Sequence, residues 1–533
     1  MHPPLIEALL QPSAYSHPVD YTKLLETHIS WVILTGQYAY KIKKPVDFGF
    51  IDYSTLEKRH YYCEEEILLN HALAPQIYRE VLPITKTAEG YQVNGNGELV
   101  EYAVQMTEFS QNQLLSRVVP QHGLNTAIVT NLAKQLAHYH LQAPHSGADT
   151  PFGTPEVIQR FVDQNFSQAR ELLQYFSIAT AEYLAPLEKL EAYSLLEFKK
   201  NETTILQRKK HGFVRSCHGD LRLDNITLIN GDPVIFDCVE FNDELRWTDV
   251  MGDVGFLTMD FYDYKRPDYA MIFLNTYFTY TGDYAALTVL PYYFAYRAMV
   301  RAKIQLFNIQ PHDTEEVRQA YFAKYANYVK LATHYLAERR PSIIIMHGFS
   351  GSGKSTLASR LAEALGAIVI RSDAERKRLF DLKPEDDSHT LINGKLYQPE
   401  ITQRTYAQLK LLAVQILQAG YPVIIDATCL QAWQRQLFMD LAAEQSTPFV
   451  IVDCKADEQT LTARLENADN STRFFSEADK KVLQGQLKMD EPLNADELAH
   501  AVTVNTDEDF SISKVSSSMH GILYGDVPSR GDP

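Results

Sequence analysis

The sequence predicts two dissimilar parts: an N-terminal α+β region in which a small sheet lobe precedes a larger helical lobe, and a C-terminal α/β region built on a five-stranded parallel sheet. Three observations predict this. Strand-like runs cluster early (WVILTGQYAYKIKK at 31–44, EYAVQMTEF at 101–109), and the chain after them is helix-patterned apart from one strand pair at 226–236. The character then changes at Arg339-Arg340-Pro341, after a helical tract rich in Tyr and Ala. Beyond it, SIIIMHG at 342–348, AIVIRSD at 367–373, PVIIDAT at 422–428, PFVIVDC at 448–454 and AVTVNT at 501–506 alternate with helix-length segments. Short apolar runs so spaced are strands buried on both faces of a parallel sheet.

With 533 residues, 45% of them hydrophobic, the chain can bury more than one core. The expected boundaries are 1–110 for the sheet lobe, 111–338 for the helical lobe, 341–510 for the α/β unit and 511–533 for a flexible tail rich in Ser and Gly. Fifty Lys plus Arg against 67 Asp plus Glu leave a net charge of −17, which opposes attraction to phosphate backbones, so nucleic acid is not the expected partner. No run reaches the ~18 apolar residues that span a bilayer, and the N-terminus lacks a basic start followed by an apolar core. A soluble, cytoplasmic protein is expected. Cys63, Cys217, Cys238, Cys429 and Cys454 form no C-x-x-C pair and read as reduced core thiols.

The first of the five C-terminal strands runs into Gly348-Phe349-Ser350-Gly351-Ser352-Gly353-Lys354-Ser355-Thr356, a match to G-x-x-x-x-G-K-[ST] that opens a helical pattern. In such a loop the glycines let backbone N–H groups face phosphates, Lys354 neutralises β/γ charge, and the Ser355 hydroxyl ligates Mg²⁺. Ligands of open parallel sheets sit beyond the carboxyl ends of the strands, so Asp373, at the end of the second strand, is a candidate base for an acceptor hydroxyl and Arg376 a candidate substrate clamp. Asp426, ending the third strand, is placed to hold Mg²⁺ through water. Arg464 and Arg473 flank a polar segment expected to close over the phosphates. This region, 341–500, resembles P-loop kinases that phosphorylate small molecules or nucleic-acid ends, of the zeta-toxin-like and polynucleotide-kinase-like kind. The resemblance implies that Asp373 activates the acceptor.

A second phosphoryl-transfer pattern lies at Cys217-His218-Gly219-Asp220-Leu221-Arg222-Leu223-Asp224-Asn225. Its D-x-x-x-x-N spacing suits Asp220 to take a hydroxyl proton while Asn225 turns back onto Mg²⁺. The runs ITLI and PVIF then read as a hairpin centred on Gly231, whose symmetric pairing would set Asn225 opposite Asp237, a second metal ligand. Upstream, Ala39 and Lys41 lie on one strand face, as in the strand that carries a kinase's ATP-binding lysine, and Lys43 shares that parity. Its acidic partner is expected among Glu64, Glu65 and Glu66, with Glu66 favoured.

Residues 25–335 resemble the aminoglycoside phosphotransferase and choline-kinase-like branch of the protein-kinase-like bilobal fold, through AYKIKKPVDFGF, CHGDLRLDNI and VIFDCVEFNDELRWTDV. The whole chain resembles a bacterial fusion of that domain with a P-loop ATP-binding unit. The resemblance implies Asp220 as base, Asn225 and Asp237 on Mg²⁺, and Asp249 or Asp253 bracing the catalytic loop. Two departures stand out: no G-x-G-x-x-G precedes Lys41, where the tight turn Thr35-Gly36-Gln37 is found instead, and Arg222 replaces a customary His. The expected function is an ATP- and Mg²⁺-dependent phosphotransferase with two nucleotide sites and small-molecule hydroxyl acceptors. The alternatives are a P-loop enzyme with a regulatory N-terminal nucleotide-binding module, or a polynucleotide 5′-kinase with a groove lined by Arg376, Lys377, Arg378 and Arg404.

Overall fold

The computed structural model describes residues 2–49, 51–336, 340–386, 398–467 and 480–524. Contacts divide the chain into two compact units: Met1–Glu191, Leu195–Asp260 and Tyr296–Tyr328 form one, and Ala192–Ser194, Phe261–Ala295 and Val329–Pro533 the other. Among the described residues no helix is long and apolar enough to cross a membrane.

The N-terminal unit opens with β1 (Lys23–Glu26), β2 (Ser30–Leu34), β3 (Tyr38–Lys43), β4 (Tyr78–Thr87), β5 (Gly90–Val93) and β6 (Glu98–Thr107), a six-stranded antiparallel sheet in the order β1-β2-β3-β6-β4-β5. Side chains alternate along β3, so Tyr40 and Ile42 enter the core on one face with Ile33, Ile84 and Ala103. Ala39, Lys41 and Lys43 share the opposite face, where Ala39 packs beside Cys63 and Val104. Cys63 belongs to the helix Leu56–Asn70, which starts where Thr55 Oγ1 accepts the Lys58 N–H. Cys63, Glu66 and Asn70 form its buried stripe, because steps of three and four return to one helix face.

The helical lobe carries β7 (Val214–Ser216), β8 (Ile226–Ile229), β9 (Asp232–Ile235) and β10 (Trp247–Asp249), with β7 pairing β10 and β8 pairing β9. The β8–β9 register joins Ile229 to Asp232, leaving Asn230 (φ 54°) and Gly231 (φ 89°) as a two-residue turn. That corrects the expected hairpin by half a step. Two successive left-handed residues make the tight turn whose twist matches the strands, so Asn225 faces Phe236, and Asp237 lies one residue beyond.

The C-terminal unit contains β11 (Ile343–His347), β12 (Ile368–Arg371), β13 (Val423–Asp426), β14 (Phe449–Lys455) and β15 (Ala501–Asn505), paired in parallel in the order β12-β13-β11-β14-β15. Helix Pro267–Thr281 also belongs to this unit, and its Asn275 amide treats edge strand β12 as another strand would: Nδ2 donates to Ala367 O at 3.0 Å and Oδ1 accepts from Val369 N at 2.7 Å.

The expected flexible tail is corrected over Ile512–Tyr524, which forms a helix with Val515, Met519 and Leu523 buried against Ile344, Leu357 and Val452. Three apolar residues at steps of four make a core-facing stripe that the serines between them disguise in composition. The rest of the tail lies outside the described residues.

Candidate active sites

At the end of β11 the chain turns through Gly348–Gly353 into the helix Lys354–Leu365. Gly348 has φ +131°, and a Cβ there would stand 2.4 Å from the Cys454 carbonyl oxygen, so the loop can curl at that point only as glycine. Lys354 Nζ donates to Phe349 O at 2.6 Å, and burial holds its ammonium below the ordinary lysine range. The Ser350 N–H donates to Gln486 Oε1 and its Oγ accepts from Gln486 Nε2, both at 2.9 Å. Ser355 Oγ donates to Asp426 Oδ1 at 3.1 Å, which puts the two expected magnesium ligands side by side.

Arg371, which sequence reasoning passed over, completes this cluster: Nη1 donates to Asp426 Oδ2 at 2.6 Å and Nη2 to Ser359 Oγ at 2.9 Å. Arg371 and Asp426 are register partners on β12 and β13. A charged residue ending an otherwise apolar strand was the signal available for it. Asp373 sits in the first turn of the helix Ser372–Arg378 with Arg376 Nη1 3.1 Å from its Oδ1. Gly351, Gly353, Lys354, Ser355, Thr356, Arg371, Asp373, Arg376 and Asp426 all line one cavity of about 930 Å³.

Arg464 also lines that cavity, but its guanidinium is engaged by Gly351 O at 3.2 Å and by Thr506 Oγ1 and O at 3.0 and 2.7 Å, so its bonds brace the loop. Arg473 lies outside the described residues. Of the four basic residues expected along an oligonucleotide groove, Arg376 alone is among the lining residues: Lys377 Nζ donates to Pro384 O and Arg378 Nη2 to Thr279 O.

In the N-terminal unit, Lys41 Nζ donates to Glu66 Oε1 at 2.7 Å and to Asp237 Oδ1 at 2.6 Å. Lys43 reaches the other Glu66 oxygen at 2.8 Å and also pairs with Glu240. Glu66 thus takes both lysines, but only Lys41 joins it to Asp237, and Lys43 is fully buried. Burial pushes the Glu66 carboxyl up, and the two ammonium groups outweigh it and hold it below the ordinary range. Asp237 is held low in the same way by Lys41 against burial. Its backbone is left-handed (φ 67°), a conformation that Asp tolerates, and its N–H donates to Tyr78 Oη at 3.1 Å.

Asp253, not Asp249, braces the loop expected to be catalytic: its carboxylate accepts the N–H groups of His218 at 2.7 Å and Gly219 at 2.9 Å. Asp249 forms a forked pair with Arg208. Asn225 Nδ2 donates to Asp220 O at 2.9 Å and Oδ2 at 3.0 Å, and Arg222 Nε reaches the same Oδ2 at 3.0 Å. The β1–β2 turn, Thr27-His28-Ile29, has no glycine; Thr27 Oγ1 accepts the Ser30 N–H, and Lys44 Nζ donates to Glu26 Oε1 and Thr27 O at 2.6 Å. The glycine-bearing turn Thr35–Gln37 joins β2 to β3 instead, with its Thr35 and Gly36 N–H groups on Glu108 Oε2.

The five cysteines are buried and free, and burial pushes the Cys63, Cys429 and Cys454 thiols up to about 12, which leaves them protonated.

The residues present fit a nucleoside triphosphate in the P-loop unit: a glycine-curled loop that a Cβ would block, a lysine folded over it, and a hydroxyl beside a carboxylate for one cation. Residues 343–493 match the AAA domain family and 63–290 the phosphotransferase enzyme family. The uncharacterized protein Rv2004c of Mycobacterium tuberculosis (strain H37Rv) is 30% identical over 458 residues, 84% of this chain and 87% of its own length. Among solved structures, a choline/ethanolamine kinase family protein from Mesorhizobium loti covers 62% of this chain and 97% of its own, with 15% identity and TM-score 0.34. A sugar kinase from Janibacter sp. covers 36% of this chain and 99% of its own, with 18% identity and TM-score 0.28. This chain belongs to one family with the mycobacterial protein, and its phosphotransferase-enzyme-family domain and P-loop kinase-like domain mark it as a phosphotransferase.

Proposed function

We propose that each unit is an ATP-dependent, Mg²⁺-requiring kinase that phosphorylates a hydroxyl group of a small molecule. The observation that supports this most directly is that each unit, by itself, brings together the side chains such a reaction uses: Lys41 on Glu66 and Asp237 with Asn225 on Asp220 in one, and Lys354, Ser355 on Asp426, and Asp373 around one cavity in the other. Bound Mg·ATP supplies the electrophilic γ-phosphoryl group. The chain's own residues do the rest. Lys354 and the loop N–H groups hold phosphate charge, Ser355 and Asp426 hold the cation with Arg371 fixing the carboxylate, and Asp373 takes the hydroxyl proton. In the N-terminal unit, Lys41 is positioned by Glu66, Asn225 and Asp237 hold the cation, and Asp220 takes the proton.

A second reading has the N-terminal unit bind nucleotide without turnover. It is favoured by Asp220 Oδ2, which carries hydrogen bonds from both Arg222 and Asn225, and by the glycine-free β1–β2 turn. The test is to incubate the full chain with γ-labelled ATP, Mg²⁺ and a metabolite extract, and to compare wild type with Asp220→Ala and Asp373→Ala. Loss of a different labelled product in each variant supports two kinases. An unchanged product pattern in Asp220→Ala, with all transfer lost in Asp373→Ala, replaces that reading with the second.

A further inference from the structure

Part of the P-loop cavity's lining comes from the helices Pro399–Gln418 and Ala432–Glu444 and the residue that caps the second. It presents Thr402, Gln403 and Tyr406 from the first, and Gln431, Trp433 and Gln434 from the start of the second. None of these six is charged. Of the charged groups in the cavity lining, Asp373 and Arg376 are 3.1 Å apart and of opposite sign, while Arg371 is paired with Asp426 and Arg464 bonds the loop. The other cations of the basic run, Lys377 and Arg378, donate to backbone carbonyls. Among the described residues this wall therefore offers no cationic strip for an acceptor phosphate and no acidic cluster for a polycation.

Trp433 is the distinctive member. Its Nε1–H donates to Gln431 Oε1 at 3.1 Å, and its ring meets Tyr406 edge to face with centroids 5.3 Å apart, yet it stays 41% exposed. Held by two neighbours, the indole is a pre-set apolar platform. Around it the Gln403 amide and the Thr402 hydroxyl supply uncharged donors and acceptors, while the Tyr406 hydroxyl is taken up by the Cys429 N–H behind the ring. An apolar flat surface ringed by neutral hydrogen-bonding groups is complementary to a molecule with a C–H face and a rim of hydroxyls.

We propose that the acceptor of the P-loop unit is an uncharged polyhydroxyl compound, a sugar or sugar alcohol, stacked on Trp433 with one hydroxyl at Asp373. This rests on the reading of that unit as a kinase. The hydroxyl oxygen forms a bond to the γ-phosphorus of ATP, its proton passes to the Asp373 carboxylate, and the bond from that phosphorus to the β–γ bridging oxygen breaks. The products are a sugar phosphate and ADP.

The full chain is assayed with Mg·ATP against neutral sugars and sugar alcohols, sugar acids, amino sugars, nucleosides and a 5′-hydroxyl oligonucleotide, reading ADP release and product mass. Expected is transfer to at least one neutral polyol, lost in Asp373→Asn. For that acceptor Trp433→Ala raises KM about tenfold with KM for ATP unmoved, and Trp433→Phe restores most of the affinity. Transfer confined to charged acceptors, nucleosides or the oligonucleotide overturns the proposal and leaves the kinase reading standing, as does ATP binding with no transfer to any neutral compound. An unchanged acceptor KM in Trp433→Ala overturns the platform. Failure to bind ATP by calorimetry, indistinguishable from Lys354→Ala, removes the kinase reading itself.

Discussion

In the C-terminal unit the groups from Gly348 to Thr356 follow one another through one turn and into one helix, and the distant additions are few: Arg371 and Asp426 from neighbouring strands, Gln486 on Ser350 and Arg464 on Gly351. In the N-terminal unit Lys41 and Asp237 meet at 2.6 Å although 196 positions separate them, and Glu66 and Asp220 come from two further segments. The first site is therefore set by local backbone geometry and the second by the packing of distant elements. The first should tolerate loss of a side chain as a loss of chemistry, and the second should register it partly as a loss of fold.

The largest effect expected is on the local site. Lys354→Ala should lower the Asp373-dependent transfer by about 10²–10³-fold or more, because an oriented charge beside the phosphates is lost. Thermal stability should hardly change, since Lys354 donates to its own loop. Initial rates and melting curves check both halves. Loss of the Asp220-dependent product as well would break the comparison by showing that the two sites are coupled.

The dispersed site separates two lysines of equal parity. Lys43→Ala leaves Glu66 and Glu240 short of a buried cation and should cost about 3–5 kcal/mol in urea denaturation. Lys41→Ala leaves Glu66 still paired with Lys43 and should cost much less, while removing nucleotide binding to the N-terminal unit. Equal stability losses would show that the sequence was right to treat them alike.

A smaller effect concerns Asp260, whose Oδ2 accepts the Leu223 N–H of the catalytic loop. Burial, only partly offset by Arg301, pushes its carboxyl up to about 6. The unfolded chain releases that proton near pH 4, so the folded state holds a proton that the unfolded state lacks between these values. The contribution is complete below about pH 4 and is lost as pH rises through about 6, by roughly 3 kcal/mol. Denaturation midpoints at pH 4.5 and pH 6.5 should differ less in Asp260→Asn than in wild type. An identical pH response in the variant would refute this.

The legible parts of the chain were those whose meaning is local. G-x-x-x-x-G-K-S and the five apolar runs read correctly because a turn that needs glycine and a strand buried on both faces each leave a short, dense signature. The parity of Lys41 and Lys43 was also legible. Which of them faces Asp237 was not, since that depends on where a hairpin near residue 231 arrives. The register of that hairpin differed from its symmetric reading because Asn230 accepts a left-handed backbone beside Gly231.

By itself, then, the sequence determined the two fold classes, the loop that curls around phosphate, and the spacing of Asp220 and Asn225, all of which depend on residues within one or two turns of each other. The tertiary structure alone decided that Arg371 fixes Asp426, that Glu66 takes both lysines, that Asp253 rather than Asp249 holds the catalytic loop, and that Ile512–Tyr524 docks as a helix. Each of these is a choice among chemically equivalent partners. Such choices are settled by which buried charges and apolar faces the packed chain brings within bonding distance, and no local spacing records that.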